Sequence, residues 1–256
     1  MSHEYRNGHK RIPEVDRFMA NLLGYDDSYY HAPDVERPRM VPMRKWVKPT
    51  GVTPIFPGGP GVQGSRFPHR GIMILMQDFD VESTYLRAVE RGYTASEDKT
   101  TIGATELLRE AGVDLNDCYF TNRFVGVRDA ESQYGANPGW CSPKSPKQYK
   151  PYVTMSDEIL KMQLFEQTPK LVLMYGTHVP RSLGFENLWS SKLLEGASIL
   201  GHVATVAALV HPSFRPINIG KVKYGDRVGH GAEITLVRDA MRAAGLPLQP
   251  AGNPEP

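Results

Sequence analysis

Cysteine is scarce in this chain: Cys118 and Cys141 are the two among 256 residues. Two thiols cannot by themselves furnish a four-cysteine iron–sulfur cluster or a four-thiolate zinc site. They read as buried or idle thiols of a reducing compartment. Long apolar runs are also missing, and nothing approaches the roughly 18 apolar residues of a membrane-spanning helix. No secretory signal pattern opens the chain. The expectation is a cytoplasmic protein without a membrane partner, nucleoid-associated if bacterial. Nor is there a large excess of either charge, since 30 Lys and Arg face 28 Asp and Glu. A net charge of +2 provides no global basic field, although basic residues can still gather on one face. Three local signatures are absent too. Without a G-x-S-x-G elbow the usual hydrolase nucleophile is missing. Without a P-loop or a Rossmann fingerprint after the first strand, the common nucleotide-binding readings weaken.

What is present is ordinary globular material, 40% hydrophobic and 23% charged, enough to bury a core. It suits one domain with appendages or two small ones. The stretch that organises the rest is I-M-I-L-M-Q-D-F, residues 72–79. Five apolar residues in a row, after Gly71, predict a strand buried on both faces, as a helix-covered parallel sheet requires. Gln77 and Asp78 fall at its carboxyl end, where open α/β sheets bind ligands. Taken alone, Asp78 reads equally as the cap of a following helix.

Residues 1–70 form a proline- and aromatic-rich extension expected to wrap the core in turns and extended pieces. Helical spacing of Val15, Phe18, Met19, Leu22 and Leu23 predicts a short helix within it. Its glycine-proline loop, residues 56–61, lacks the strand-before, helix-after setting of a dinucleotide site. From residue 71 the pattern alternates. Helices are predicted over 82–89, 101–111 and 155–167, the last opened by Thr154 or Ser156, with a closing amphipathic helix over 232–244. Further strands are predicted over 117–120, 171–175 and 202–210. Helical turns fill residues 180–194, and long loops fill 127–152 and 221–231. Strand–helix alternation implies right-handed parallel crossovers. The expected fold is therefore a three-layer α/β/α sandwich around a four-stranded parallel sheet. The domain spans 71–246, and residues 247–256 form a loose tail.

Three of the four strands end in a distinctive polar group: Gln77-Asp78, Asn122, and His211-Pro212-Ser213. Each has a plain alternative, since Asn often closes a turn and His-Pro often marks a strand exit. Together, at the carboxyl ends of parallel strands, they place an acid, an amide and an imidazole on one edge. Lys144, Lys147 and Lys150 lie in the long central loop, either tracking a polyanion or simply solvated.

The ordered set resembles the uracil-DNA glycosylase superfamily, from about Gly71 to Arg215. Gln77-Asp78 matches the family's first-strand motif, and Tyr119-Phe120-Thr121-Asn122 resembles the Y-I-T-N of its iron–sulfur branch. Residues 169–176 look like that branch's third strand, and His211-Pro212-Ser213 matches the last motif. The chain departs from the family in several places. The cluster cysteines are absent, so no iron–sulfur centre and no other cofactor or metal is expected. Phe79 and Asp80 replace the family's proline and tyrosine; that tyrosine excludes thymine, and Phe79 is the candidate to take over its role. The stacking aromatic has no clean match, with Tyr93 nearest and Tyr85 a rival. Arg215 replaces the wedge leucine, as in the family's mismatch-specific branch.

The resemblance implies a monomeric base-excision-repair glycosylase that acts on uracil-containing DNA and leaves an abasic site. Asp78 and His211 would be catalytic, and Gln77, Phe79, Tyr93 and Asn122 would bind uracil. Ser213, Phe214, Arg215, Lys144 and Lys147 would contact DNA. One alternative is a uracil- or abasic-site-binding protein on the same scaffold with poor turnover. An unrelated hydrolase or nucleotide-binding domain is a weaker rival.

Overall fold

The computed structural model describes residues 39–40, 71–77, 99–124, 126–127, 150–188 and 192–249. The predicted helices over 15–23 and 82–89 lie outside these residues. In chain order the strands are β1 (Arg39–Met40), β2 (Ile72–Met76), β3 (Cys118–Asn122), β4 (Gly126–Val127), β5 (Leu171–Tyr175), β6 (Lys192–Ile199), β7 (His202–Leu209), β8 (Lys223–Tyr224) and β9 (Arg227–Val228). The helices are α1 (Lys99–Glu110), α2 (Lys150–Gln167), α3 (His178–Ser182), α4 (Arg215–Asn218) and α5 (His230–Ala243).

The main sheet is five-stranded and mixed, in the order β3-β2-β5-β7-β6. The first four run parallel to their neighbours, and β6 joins β7 antiparallel. Every residue of β2, β3 and β5 is buried, as their near-continuous apolar sequences require. Alternate side chains divide between the two faces. Ile74, Phe120, Leu173 and Leu209 share a core with Leu107 and Leu108 of α1 and Leu236 and Val237 of α5. Thr121 faces the other way and donates to Gln163 Oε1 on α2 at 2.9 Å.

A fifth strand joins the four expected ones, because residues 192–194, assigned to helical turns, begin β6. The sequence K-L-L-E-G-A-S-I hides this strand. Seven of its eight residues are at least partly exposed, so no buried alternation marks it. The register shifts between Leu194 and Ala197, where Gly196 takes φ 61°, a bulge-type irregularity that suits glycine. Leu200 (φ 49°) and Gly201 (φ 90°) then turn the chain into β7, with Ile199 opposite His202. Two positive φ values are the mark of a tight primed hairpin turn, normally announced by Asn-Gly. Leu-Gly gave little warning.

Other boundaries shift for local reasons. Helix α2 begins at Lys150 rather than 155, so Thr154 and Ser156 are interior and not caps. Pro151 sits in the first turn, where its missing N–H costs no helical bond. The expected loop 221–231 contains the β8–β9 hairpin, which is seated by Val210, Val222 and Ala232 with Tyr224 packed alongside. The chain also stays attached past α5: Leu246 and Leu248 pack on the core, and Gln249 N–H donates to Gly112 O at 2.8 Å. Gly112 ends α1 at φ 80°, and a Cβ there would lie 2.8 Å from Gln249 O. Residues 246–249 therefore depend on this glycine both for its conformation and for the space it leaves. Strands β1 and β4 pair antiparallel, tying the N-terminal extension to the segment after β3.

Candidate active site at the carboxyl edge of the sheet

Register places the strand ends level with one another. Asn122 pairs with Met76, Leu75 with Met174, and Tyr175 with Leu209. The ladder between β2 and β3 runs slightly further, with Arg123 N–H donating to Met76 O at 2.8 Å and Phe124 N–H to Gln77 O at 2.9 Å. Gln77 and Asn122 are thus on adjacent strands at one end of the sheet. His211 lies two residues beyond the last pairing of β7, at the same end. Strands β3 and β7 are separated by three strand spacings, roughly 14 Å. By alternation Asn122 lies on the face of Cys118 and Phe120, where α1 and α5 pack, and it is buried. The turn after β7 docks on that same face. Asp78, Phe79, Tyr93, Lys144 and Lys147 lie outside the described residues.

That turn is held from several sides. Gly176 closes β5 at φ 82°, and its N–H donates to Leu209 O at 2.8 Å. A Cβ on Gly176 would come within 3.4 Å of His211 Cβ. His211 caps a short 3-10 turn, Pro212–Phe214, with Phe214 N–H donating to His211 O at 2.9 Å. Pro212 Cβ lies 3.2 Å from where a Cβ on Gly103 of α1 would stand, so helix and turn are in close contact. The Ser213 and Thr100 hydroxyls share a 2.6 Å hydrogen bond. The Phe214 ring meets the His211 ring edge-on at 5.8 Å and is half exposed.

Arg215 does not project as a wedge would. Its side chain is 15% exposed and turns inward. It donates to Glu233 Oε2 at 2.8 Å, Gly103 O at 3.1 Å and His230 Nδ1 at 2.6 Å. Because a guanidinium only donates, His230 Nδ1 must accept. The tautomer that also satisfies Glu110 Oε2, 2.6 Å from Nε2, carries its proton there. A buried carboxylate thus attracts the arginine away from solvent, and Phe214 is left as the exposed apolar side chain beside His211.

Two charged groups important here escaped the sequence reading. Arg123, 1% exposed, follows Asn122 directly. It donates to Ser182 Oγ at 3.0 Å and pairs with Asp157 on α2, with the Phe124 ring 4.7 Å from its guanidinium carbon. Glu233 is fully buried, and burial pushes its carboxyl pKa upward while Arg215 and the Val210 N–H oppose the shift. The signal for Glu233 was available. It lies on the buried stripe of α5 with Leu236, Val237 and Ala240, where a carboxylate needs a partner.

Cys118 is a buried free thiol, and burial together with Asp117 and Asp114 drives its pKa upward. That makes it a poor nucleophile. Among the described residues no group of three or more His, Cys, Asp or Glu could hold a metal ion. No described helix is long and apolar enough to cross a membrane. No protein-family model matches the chain, and no curated protein matches it in sequence.

Proposed function

We propose that this protein is a DNA glycosylase of the uracil-DNA glycosylase type, built as an α/β/α sandwich with an added antiparallel edge strand. The observation that carries the reading is the shared position of Gln77, Asn122 and His211-Pro212-Ser213 at one carboxyl edge. Helices on both faces of the sheet support the layered arrangement. Each of the three motifs taken singly is weak, but their order along the chain and their common edge support one another.

The chemistry follows from the substrate. A base inside a duplex is out of reach, so the enzyme must extrude it, at a cost of a few kcal/mol. Uracil offers an acceptor at O4 and a donor at N3–H. The Asn122 amide supplies one donor and one acceptor to match, whereas cytosine would present the wrong pair. Cleavage of the N-glycosidic bond leaves positive charge on the sugar and negative charge on the departing base. An ionised Asp78 stabilises the first and orients water towards C1′. An imidazole N–H of His211 stabilises charge growing on uracil O2. The Ser213 hydroxyl positions a flanking phosphate. Phe214 takes the insertion role, filling the gap left in the stack as apolar wedges do in other DNA-bending proteins.

The test is incubation with a single-uracil oligonucleotide followed by alkaline cleavage of abasic sites. The wild-type protein should release uracil. Asp78→Ala and His211→Ala should each slow release by about 10²- to 10⁴-fold with folding unchanged. Absence of product with enzyme in excess over DNA would overturn the glycosylase assignment. A single turnover followed by arrest would instead mark a protein that retains its abasic product.

A further inference from the structure

The turn carrying His211 is gripped at both ends by one carboxylate. Glu233 Oε1 accepts the Val210 N–H at 2.7 Å, immediately before the histidine, and Oε2 accepts from Arg215 Nη2 at 2.8 Å, just after the turn. Arg215 Nη1 extends the link to Gly103 O on α1 at 3.1 Å. Glu233 is 0% exposed and Arg215 15%. The desolvation cost of such a pair often equals or exceeds its Coulombic gain, and well-packed apolar replacements are frequently as stable. Stability alone is therefore a weak reason for placing a carboxylate at a core position of α5. Directionality is a better one. A carboxylate with one oxygen on Val210 and one on Arg215 fixes where the turn begins and ends, which an apolar side chain cannot do.

We propose that Glu233 and Arg215 are a positioning pair that holds the His211 imidazole in its working orientation at the sheet edge. The inference rests on the assignment of His211 as the group that stabilises the departing base. The pair touches neither base nor sugar and acts through the backbone of residues 210–215. Contact from Pro212 on Gly103 and from His211 on Gly176 limits the turn's remaining freedom. Loss of the carboxylate grip would therefore reorient the imidazole without unravelling the sheet. An error of about 1 Å in a catalytic group can cost about 10²-fold in rate.

The experiment uses the full chain with two variants, the apolar double replacement Glu233→Leu/Arg215→Met and the single Glu233→Gln. Three quantities are read: the thermal midpoint, hydrogen exchange at the Val210 amide, and the NMR signals of the His211 imidazole. For the double variant we expect a retained cooperative transition, faster Val210 exchange and shifted or broadened imidazole signals. Uracil release should fall about 10²-fold in kcat with little change in KM. A folded double variant with unchanged Val210 exchange and unchanged imidazole signals would overturn the proposal. If the double variant fails to fold, Glu233→Gln decides. It keeps an amide oxygen for one partner but cannot serve both, so unchanged imidazole signals there would equally refute the positioning role. Should the wild type release no uracil, the glycosylase reading falls while the exchange and imidazole measurements still judge the pair.

Discussion

The ends of β3 and β7 face the same problem and solve it differently. Each carries a polar strand-end residue, and beside each a largely buried arginine ties the chain to another element. At β3 the arginine is the residue next to Asn122. Its carboxylate partner Asp157 is 34% exposed, and Ser182 and the Phe124 ring share the load. At β7 the arginine comes four residues after His211. Its partner Glu233 is fully buried and also holds the Val210 amide. The first clamp is distributed and in partial contact with water. The second also reaches Gly103 O and His230 Nδ1, but its carboxylate is wholly shielded from water. A strand-terminal amide continues the ladder directly, so its backbone is already tied to β2. An imidazole on a turn has left the ladder and needs an anchor from another element.

The contrast predicts unequal costs. Arg215→Met leaves the buried Glu233 charge with the Val210 N–H but no counter-charge from Arg215, and should lower unfolding free energy by about 3–5 kcal/mol in urea titrations. A loss below about 1 kcal/mol would mean that water reaches this carboxylate or that it takes up a proton once Arg215 is gone. Asp157→Ala removes only one of several Arg123 partners. A smaller loss, about 1–2 kcal/mol, is expected in the same assay. Equal losses at the two sites would remove burial as the cause of the difference.

Alkali sharpens the comparison further. Burial raises the pKa of Tyr119 on β3, and that of Tyr175 on β5 is raised by burial and additionally by Glu233, with Arg215 opposing. Both hydroxyls keep their protons in the folded protein at a pH where the unfolded chain, near the ordinary value of 10.0, begins to lose them. Their contribution is complete below that value and is lost as pH rises towards the folded pKa values. The last part of the tyrosinate absorbance, from these two rings, should therefore appear together with loss of far-ultraviolet circular dichroism, above about pH 10. Ionisation of all tyrosines well before any loss of structure would contradict the burial assignments. The smallest effect is expected from Tyr175→Phe. Its buried hydroxyl has no hydrogen-bond partner among the described residues, so removal should change stability by less than about 1 kcal/mol in either direction.

Strands β2 and β5 were readable because burial on both faces demands continuous apolar runs, and I-M-I-L-M and L-V-L-M-Y are such runs. The closing helix was readable from its periodic stripe. Edge strand β6 was not, because one strand neighbour and wide solvent exposure leave its composition almost unconstrained. The inward turn of Arg215 was not readable for a related reason. Whether an arginine points to solvent or inward depends on a carboxylate 18 residues away, and nothing within the turn encodes that choice. Arg123 and Asp157 are 34 positions apart and meet only because β3 and α2 pack together.

By itself, then, the amino-acid order determined the parallel strands and the polar residues at their ends, since both follow from local apolar patterning and its interruptions. Only the tertiary structure decided which charged groups clamp those ends, because a buried charge is directed by partners from distant elements.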